Sequence, residues 1–268
     1  MEKEMTKKFL WVVVAVGIAS FVLGFFVKTS LVSKDSLTNE VTNSSDVIPL
    51  KDAKLNIEHN ATDNDTGFQG FVDSEGWENL TITGPEGKVL TFSGQGKLGN
   101  LGLTELFFET VEPANADVPI ADMLAKLPEG DYEISGSAIE AGKGMGYTKG
   151  TAKLTHNIPS SPELLSPKEK EVVTSDDDLA VSWSAVTKTI TGSSISIIAY
   201  QLIIEEDAKP HPHMIGKQNS LSMYLPSSTT RVTISKGFLK PKTNYKWEVL
   251  AIEESGNQTL SSGEFSTQ

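Results

Sequence analysis

Leu239-Lys-Pro-Lys-Thr-Asn-Tyr245-Lys-Trp-Glu-Val-Leu-Ala251 decides how the carboxy-terminal part of this chain folds. From Tyr245 onward the core-type residues fall at every second position, Tyr245, Trp247, Val249 and Ala251, with Lys246 and Glu248 between them. Successive side chains leave a pleated strand on opposite sides, so this period of two marks a strand with one buried face. Pro241 precedes the run, where its fixed φ suits a turn and its missing N–H costs no ladder bond.

The same alternation recurs outward from there. Leu179, Val181 and Trp183 share one face of a short run; Ile198, Tyr200, Leu202 and Ile204 share another, and Val232 and Ile234 are in phase in a third. Turn chemistry separates the runs and no helical pattern intervenes, which selects an antiparallel sandwich over an α/β sheet. The 239–251 run, with Val181-Ser-Trp183, Ala199-Tyr200, Glu254-Ser-Gly-Asn257 and Glu264-Phe-Ser-Thr267, resembles the fibronectin type III domain. The resemblance covers residues 162–268 and implies a sandwich with Trp183, Tyr200 and Val249 in its core, beside Trp247. It further implies that Tyr245 is a tyrosine corner, its hydroxyl bonded to backbone near Leu239. These six residues are read as structural. The fold is a binding and spacer scaffold and assigns no chemistry by itself, and the chain has no Arg-Gly-Asp tripeptide.

Residues 48–158 read as a second β domain. Strands are expected at 54–58, 80–83, 88–92, 103–109, 131–138 and 151–156, with Gly84-Pro-Glu-Gly87 as a hairpin turn. One helix is expected over 119–126, capped by Asp117. The phrase Leu127-Pro-Glu-Gly-Asp-Tyr132 resembles the last part of immunoglobulin-like modules, implying an Ig-like sandwich. Between the two domains, the prolines from Pro159 to Pro167 make a short, stiff boundary.

Phe9 to Val27 carries no charge and is long enough, as a helix, to cross a bilayer core of roughly 30 Å. Lys3, Lys7 and Lys8 precede it, which places the amino terminus in the cytoplasm and the chain beyond Lys28 outside. The competing reading is a cleaved signal peptide and a secreted or periplasmic product. The expected organisation is therefore a signal-anchor at 1–29, a disordered tether at 30–47, an Ig-like β domain at 48–158 and a fibronectin type III-like domain at 159–268. The fold class is all-β, two tandem antiparallel sandwiches behind a transmembrane helix.

Candidate chemistry is sparse. Asp63, Asp65, Asp73 and Glu75 are the candidate metal ligands, with calcium the cation their oxygens would suit, though their order is not that of an EF-hand. Gly94-Gln-Gly-Lys-Leu-Gly99 matches a dinucleotide fingerprint, but no βαβ pattern surrounds it, and a glycine-rich hairpin loop is expected. His211-Pro-His213-Met214 supplies too few ligands to complete a metal site. Glu105 and Glu109 share a strand face roughly 13 Å apart, too far for a glycosidase pair. No catalytic residue and no cofactor site is assigned. With 268 residues, no cysteine and a net charge of −12, the chain lacks disulfides and thiol chemistry and has the wrong sign for nucleic acid. Five Asn-x-Ser/Thr sequons begin at Asn43, Asn60, Asn64, Asn79 and Asn257. The expected function is a non-catalytic, membrane-tethered binding or spacer protein holding a protein or glycan partner outside the cytoplasm. The alternatives are an envelope enzyme or accessory subunit using the middle domain, and a calcium-stiffened structural module.

Overall fold

The structure, a computed structural model, describes residues 47–140, 144–214, 217 and 219–268. The expected anchor at 9–27 and residues 30–46 of the expected tether lie outside the described residues, whereas Val47, placed at the end of that tether, begins a strand. Among the described residues no helix is long and apolar enough to cross a membrane. The described part is all-β, with two short helices.

The amino-terminal sandwich comprises Val47–Pro49 (β1), Asp52–Asn60 (β2), Asp65–Trp77 (β3), Asn79–Gly84 (β4), Gly87–Ser93 (β5), Gly96–Leu101 (α1), Leu103–Glu109 (β6), Ile120–Leu124 (α2), Gly130–Glu140 (β7) and Gly144–Leu154 (β8). Strand β3 is long enough to serve two layers. Its first part pairs with β2 and β6, while Trp77 at its end reaches Leu103 and Ala138 of β7. One layer is therefore β2-β3-β6 and the other β1-β8-β7-β4-β5. Between them lie Leu55, Ile57, Phe68 and Val72 from the first, and Leu80, Ile82, Tyr132 and Ile134 from the second. The Tyr132 hydroxyl donates to Pro128 O at 2.7 Å, tying the strand to its own entry turn.

Two local expectations change. The helix at Ile120–Leu124 is capped by Pro119 without a side-chain hydrogen bond, not by Asp117. The glycine-rich segment is the short helix α1 rather than a hairpin loop, opening at Gly96 and not at the third glycine. It joins two strands that pair with different partners, so it forms no βαβ unit.

The carboxy-terminal sandwich comprises Leu164–Ser166 (β9), Glu171–Val173 (β10), Leu179–Trp183 (β11), Ile197–Glu206 (β12), Ser220–Pro226 (β13), Arg231–Ile234 (β14), Asn244–Glu253 (β15) and Gln258–Thr267 (β16). A three-stranded sheet β14-β11-β9 faces β10-β16-β15-β12-β13, which is the fibronectin type III arrangement. Its core holds Trp183, Tyr200, Leu239, Tyr245, Trp247 and Val249. Tyr200 and Trp183 pack edge to face with centroids 5.7 Å apart, and the Tyr200 hydroxyl accepts the Val186 N–H at 2.8 Å. The Tyr245 hydroxyl accepts the Lys240 N–H at 2.8 Å, beside Leu239, as the corner requires. Gly263 leaves room for the Trp247 indole, since an added Cβ would lie 3.0 Å from its Nε1. The exception to the expected alternation is Ile198. A register shift between Ile197 and Ala199 turns it out to 51% exposure.

The sandwiches are not merely adjacent. β16 pairs in parallel with β2, Gln258 to Glu58, Thr259 to His59 and Leu260 to Asn60, so a single sheet runs through both. Asn257 fastens the start of this pairing and is fully buried. Its Oδ1 accepts the Ile57 N–H at 2.8 Å, and its Nδ2 donates to Thr155 O at 2.8 Å. Its own N–H donates to Glu253 Oε1 at 3.1 Å. Thr259 Oγ1 donates to Pro159 O at 2.6 Å, holding the boundary segment itself. Asn257 heads a sequon, yet its amide nitrogen is buried and bonded in the fold, so it is no glycan acceptor there.

Asn257→Ala leaves the buried Ile57 N–H without its partner and removes the bond to the part-buried Thr155 carbonyl. The expected loss is about 2–4 kcal/mol of unfolding free energy, read from urea melts of the full chain; a loss under about 0.5 kcal/mol, typical of a surface change, would show that Asn257 does not hold the junction.

Candidate functional site

Fusing the sheets gives one outward face that neither sandwich has alone. The pleat fixes its members: Phe107 and Glu109 from β6, Gln69 and Phe71 from β3, Asn56 and Glu58 from β2, Gln258 from β16, Glu248 from β15, Gln201 from β12 and Tyr224 from β13. Tyr224 is 59% and Phe107 39% exposed. Lys54 Nζ sits 5.7 Å from the centre of the Phe71 ring.

Three carboxylates converge at the seam. Ligand atoms of Glu58, Glu109 and Glu112 lie within 4.8 Å of one another. Glu58 is buried; its Oε2 accepts from Gln258 Nε2, which also donates to Gln69 Oε1 at 3.1 Å. Gln69 Nε2 donates in turn to Glu109 Oε1 at 2.7 Å. Glu112 Oε1 is buried without a hydrogen-bond partner. Gly67 makes the space for it, because an added Cβ would meet Glu112 Cγ at 2.7 Å.

Burial and mutual repulsion keep protons on this cluster. Burial first, then Glu109, pushes Glu58 up to about 7. Burial and then Glu58 push Glu112 up to about 8. Glu109 is raised by burial as well. Across the same face Glu248 is raised to about 7 by burial and by Glu205. The spacing of the three carboxylates is one that suits shared protons or a cation.

The sequence-expected metal residues do not come together. Asp63 sits in the β2–β3 turn, where its Oδ2 accepts from Asn60 Nδ2 at 3.0 Å. Asp65 begins β3 and has its pKa raised to about 6 by burial and by Asp63. Asp73 lies further along β3, opposite Asp52 and Glu105, and Glu75 pairs with Lys51 at 3.3 Å. Eight residues of strand put Asp65 and Asp73 roughly 26 Å apart, so one ion cannot take both ends. Burial lowers the pKa of His59, partly offset by its bond to the Asp65 carbonyl. Its Nδ1 lies 3.0 Å from both Asp65 O and Thr66 Oγ1, and Thr66 donates to Asn115 Oδ1 at 3.0 Å, so the histidine proton sits on Nδ1. His211 and His213 lie in a turn, where His211 Nδ1 accepts the His213 N–H at 3.2 Å.

No protein-family model matches this chain, and no curated protein matches it by sequence. Among solved structures it is similar to a two-domain fibronectin type III segment of chicken tenascin, at 13% identity and a TM-score of 0.28, covering 81% of this chain and 98% of that one. A chicken CNTN1 fragment with domains FN1–FN3 aligns at 12% identity and a TM-score of 0.31, over 82% of this chain and 65% of that one. The fn3 domain of human collagen alpha-1(XX) aligns at 13% identity and a TM-score of 0.28, over 42% of this chain and 85% of that one. The fibronectin type III fold of β9 to β16 stands on its own strand order and tyrosine corner.

Because the folded-state values of Glu58 and Glu112 lie above their ordinary 4.5, the native state holds more protons than the unfolded chain. Their contribution to stability is full below about 4.5 and is lost as pH rises through 7 to 8. Melting temperature should therefore fall between pH 5 and pH 8.5, and Glu58→Gln should remove much of that slope and raise the melting temperature at the alkaline end. An unchanged slope in Glu58→Gln would dissociate the cluster from it. Calcium added at pH 8.5 distinguishes a cation from protons: a bound ion raises the melting temperature by mass action, and protons alone leave it unmoved.

Proposed function

We propose that this chain is a membrane-tethered, extracytoplasmic binding and spacer arm, in which an Ig-like module and a fibronectin type III module act as one rigid body and no reaction is catalysed. The observation that supports this most is the parallel pairing of β2 with β16, backed by Asn257. A spacer must transmit position, and a shared sheet does so better than a flexible linker. The partner is an envelope protein or glycan, taken on the outward face of the fused sheet. There Phe71, Phe107 and Tyr224 offer apolar and ring surface between amides and carboxylates, the mixture that recognition surfaces favour over uniform charge. The apolar run Phe9–Val27 supplies the anchor.

A second reading is favoured by one observation, the convergence of Glu58, Glu109 and Glu112 at the seam. In that reading a calcium ion replaces the shared protons and stiffens the junction.

The test uses the full chain in its native membranes. It should resist alkaline carbonate extraction and be digested by protease added outside intact cells. Cross-linking should recover an envelope partner with the wild type and lose it with the triple variant Phe71→Ala, Phe107→Ala, Tyr224→Ala. Recovery of the chain in the soluble cytoplasmic fraction contradicts the tether and the address, and a partner retained by the triple variant contradicts the face.

A further inference from the structure

The amino-terminal sandwich is open along one side. β5 pairs only with β4, and β6 only with β3, so among the described strands no ladder joins these two edges. They approach through side chains instead, with the Phe92 and Phe108 rings 5.3 Å apart. Behind this gap lies a cavity of about 510 Å³, within the range that small-molecule sites occupy. Val89 and Leu90 form one wall, Phe68 and Phe108 the other, and Met123 and Leu127 from α2 and its exit close an end. Ten of the twelve lining residues are apolar; the exceptions are Thr110 and Lys126. The Thr110 hydroxyl is already engaged, accepting the Phe68 N–H at 3.0 Å. Val111 lines the cavity and is 73% exposed, so the apolar lining continues to the surface.

The cleft opens to the surface and leaves apolar walls against water, and an occupant of matching chemistry would remove that surface from water. Lys126 is the sole charged residue of the lining and is itself exposed. It therefore sets a single positive charge where the cavity meets water, in a chain whose net charge is −12. We propose that this cavity binds one long-chain carboxylate, its hydrocarbon held between β5, β6 and α2 and its head at the Lys126 ammonium. A neutral apolar ligand would gain nothing from Lys126, and a cationic amphiphile would be repelled by it.

The probe is a diazirine-bearing hexadecanoate, photolysed with the full chain in its native membranes, with adducts mapped by peptide mass spectrometry. The expected adducts fall on the 89–90 and 110–113 stretches and are competed by unlabelled hexadecanoate. Lys126→Glu, at an exposed position, should cut labelling about tenfold, whereas Lys126→Arg should retain it. Val89→Trp, which fills the cavity, should abolish it. Adducts outside the lining, labelling undiminished by Lys126→Glu, or equal labelling by a diazirine hexadecylamine or by a diazirine-acyl phosphatidylglycerol would each overturn the proposal.

Discussion

The structure depends on how one buried side chain is satisfied. Asn257 sits in the turn between β15 and β16, with none of its surface exposed. A primary amide in that position needs partners at both ends, because an unpaired buried amide costs more than the pairing yields. It finds them across the boundary, in the Ile57 N–H of β2 and the Thr155 carbonyl just past β8. The turn of one sandwich is thereby completed by backbone from the other. Once those bonds form, β2 lies beside β16 in register, and the Ala61 N–H to Leu260 O bond at 3.0 Å extends the pairing.

The fusion has two consequences. β10 covers only the last residues of β16, so β2 and the first part of β16, residues 258–260, would each be an exposed edge in an isolated domain, a template for unwanted pairing, and each covers the other. The fusion also creates the carboxylate seam. Glu58 points away from the amino-terminal core and would be an ordinary surface acid on a free edge strand. With β16 beside it and Gln258 over it, the side chain is 2% exposed and holds its proton near neutrality. The same contact that joins the modules thus makes their junction sensitive to pH.

Much of the carboxy-terminal sandwich is legible in sequence, because its signals are local. The Tyr245-Trp247-Val249-Ala251 face and the Tyr245 corner need only a few neighbouring residues to be recognised. Ile198 departs from the pattern because a register shift is set by the partner strand, not by its own sequence. β13 is missing from the sequence reading although Leu221, Met223 and Leu225 alternate, since the run comes after a loop without a clear turn signal. The seam is harder to see. Glu58 and Gln258 are two hundred positions apart, and nothing in Lys54-Leu-Asn-Ile-Glu58 says that its outward face will be covered. Asp63, Asp65, Asp73 and Glu75 are clustered in sequence, but a continuous strand spreads them out in space. Glu109 and Glu112 carry no local mark of a ligand, because the strand that brings them to Glu58, β3, intervenes from elsewhere in the chain.

Whether the two sandwiches form one rigid body is tested most directly by an interdomain distance distribution from pulsed electron paramagnetic resonance. The chain has no cysteine of its own, so Lys88→Cys in β5 and Lys236→Cys after β14, both exposed, take spin labels without competition. A rigid body predicts a single narrow distance population in the full chain. A broad or multiply peaked distribution would mean that the β2–β16 pairing does not hold the modules together, and would contradict it.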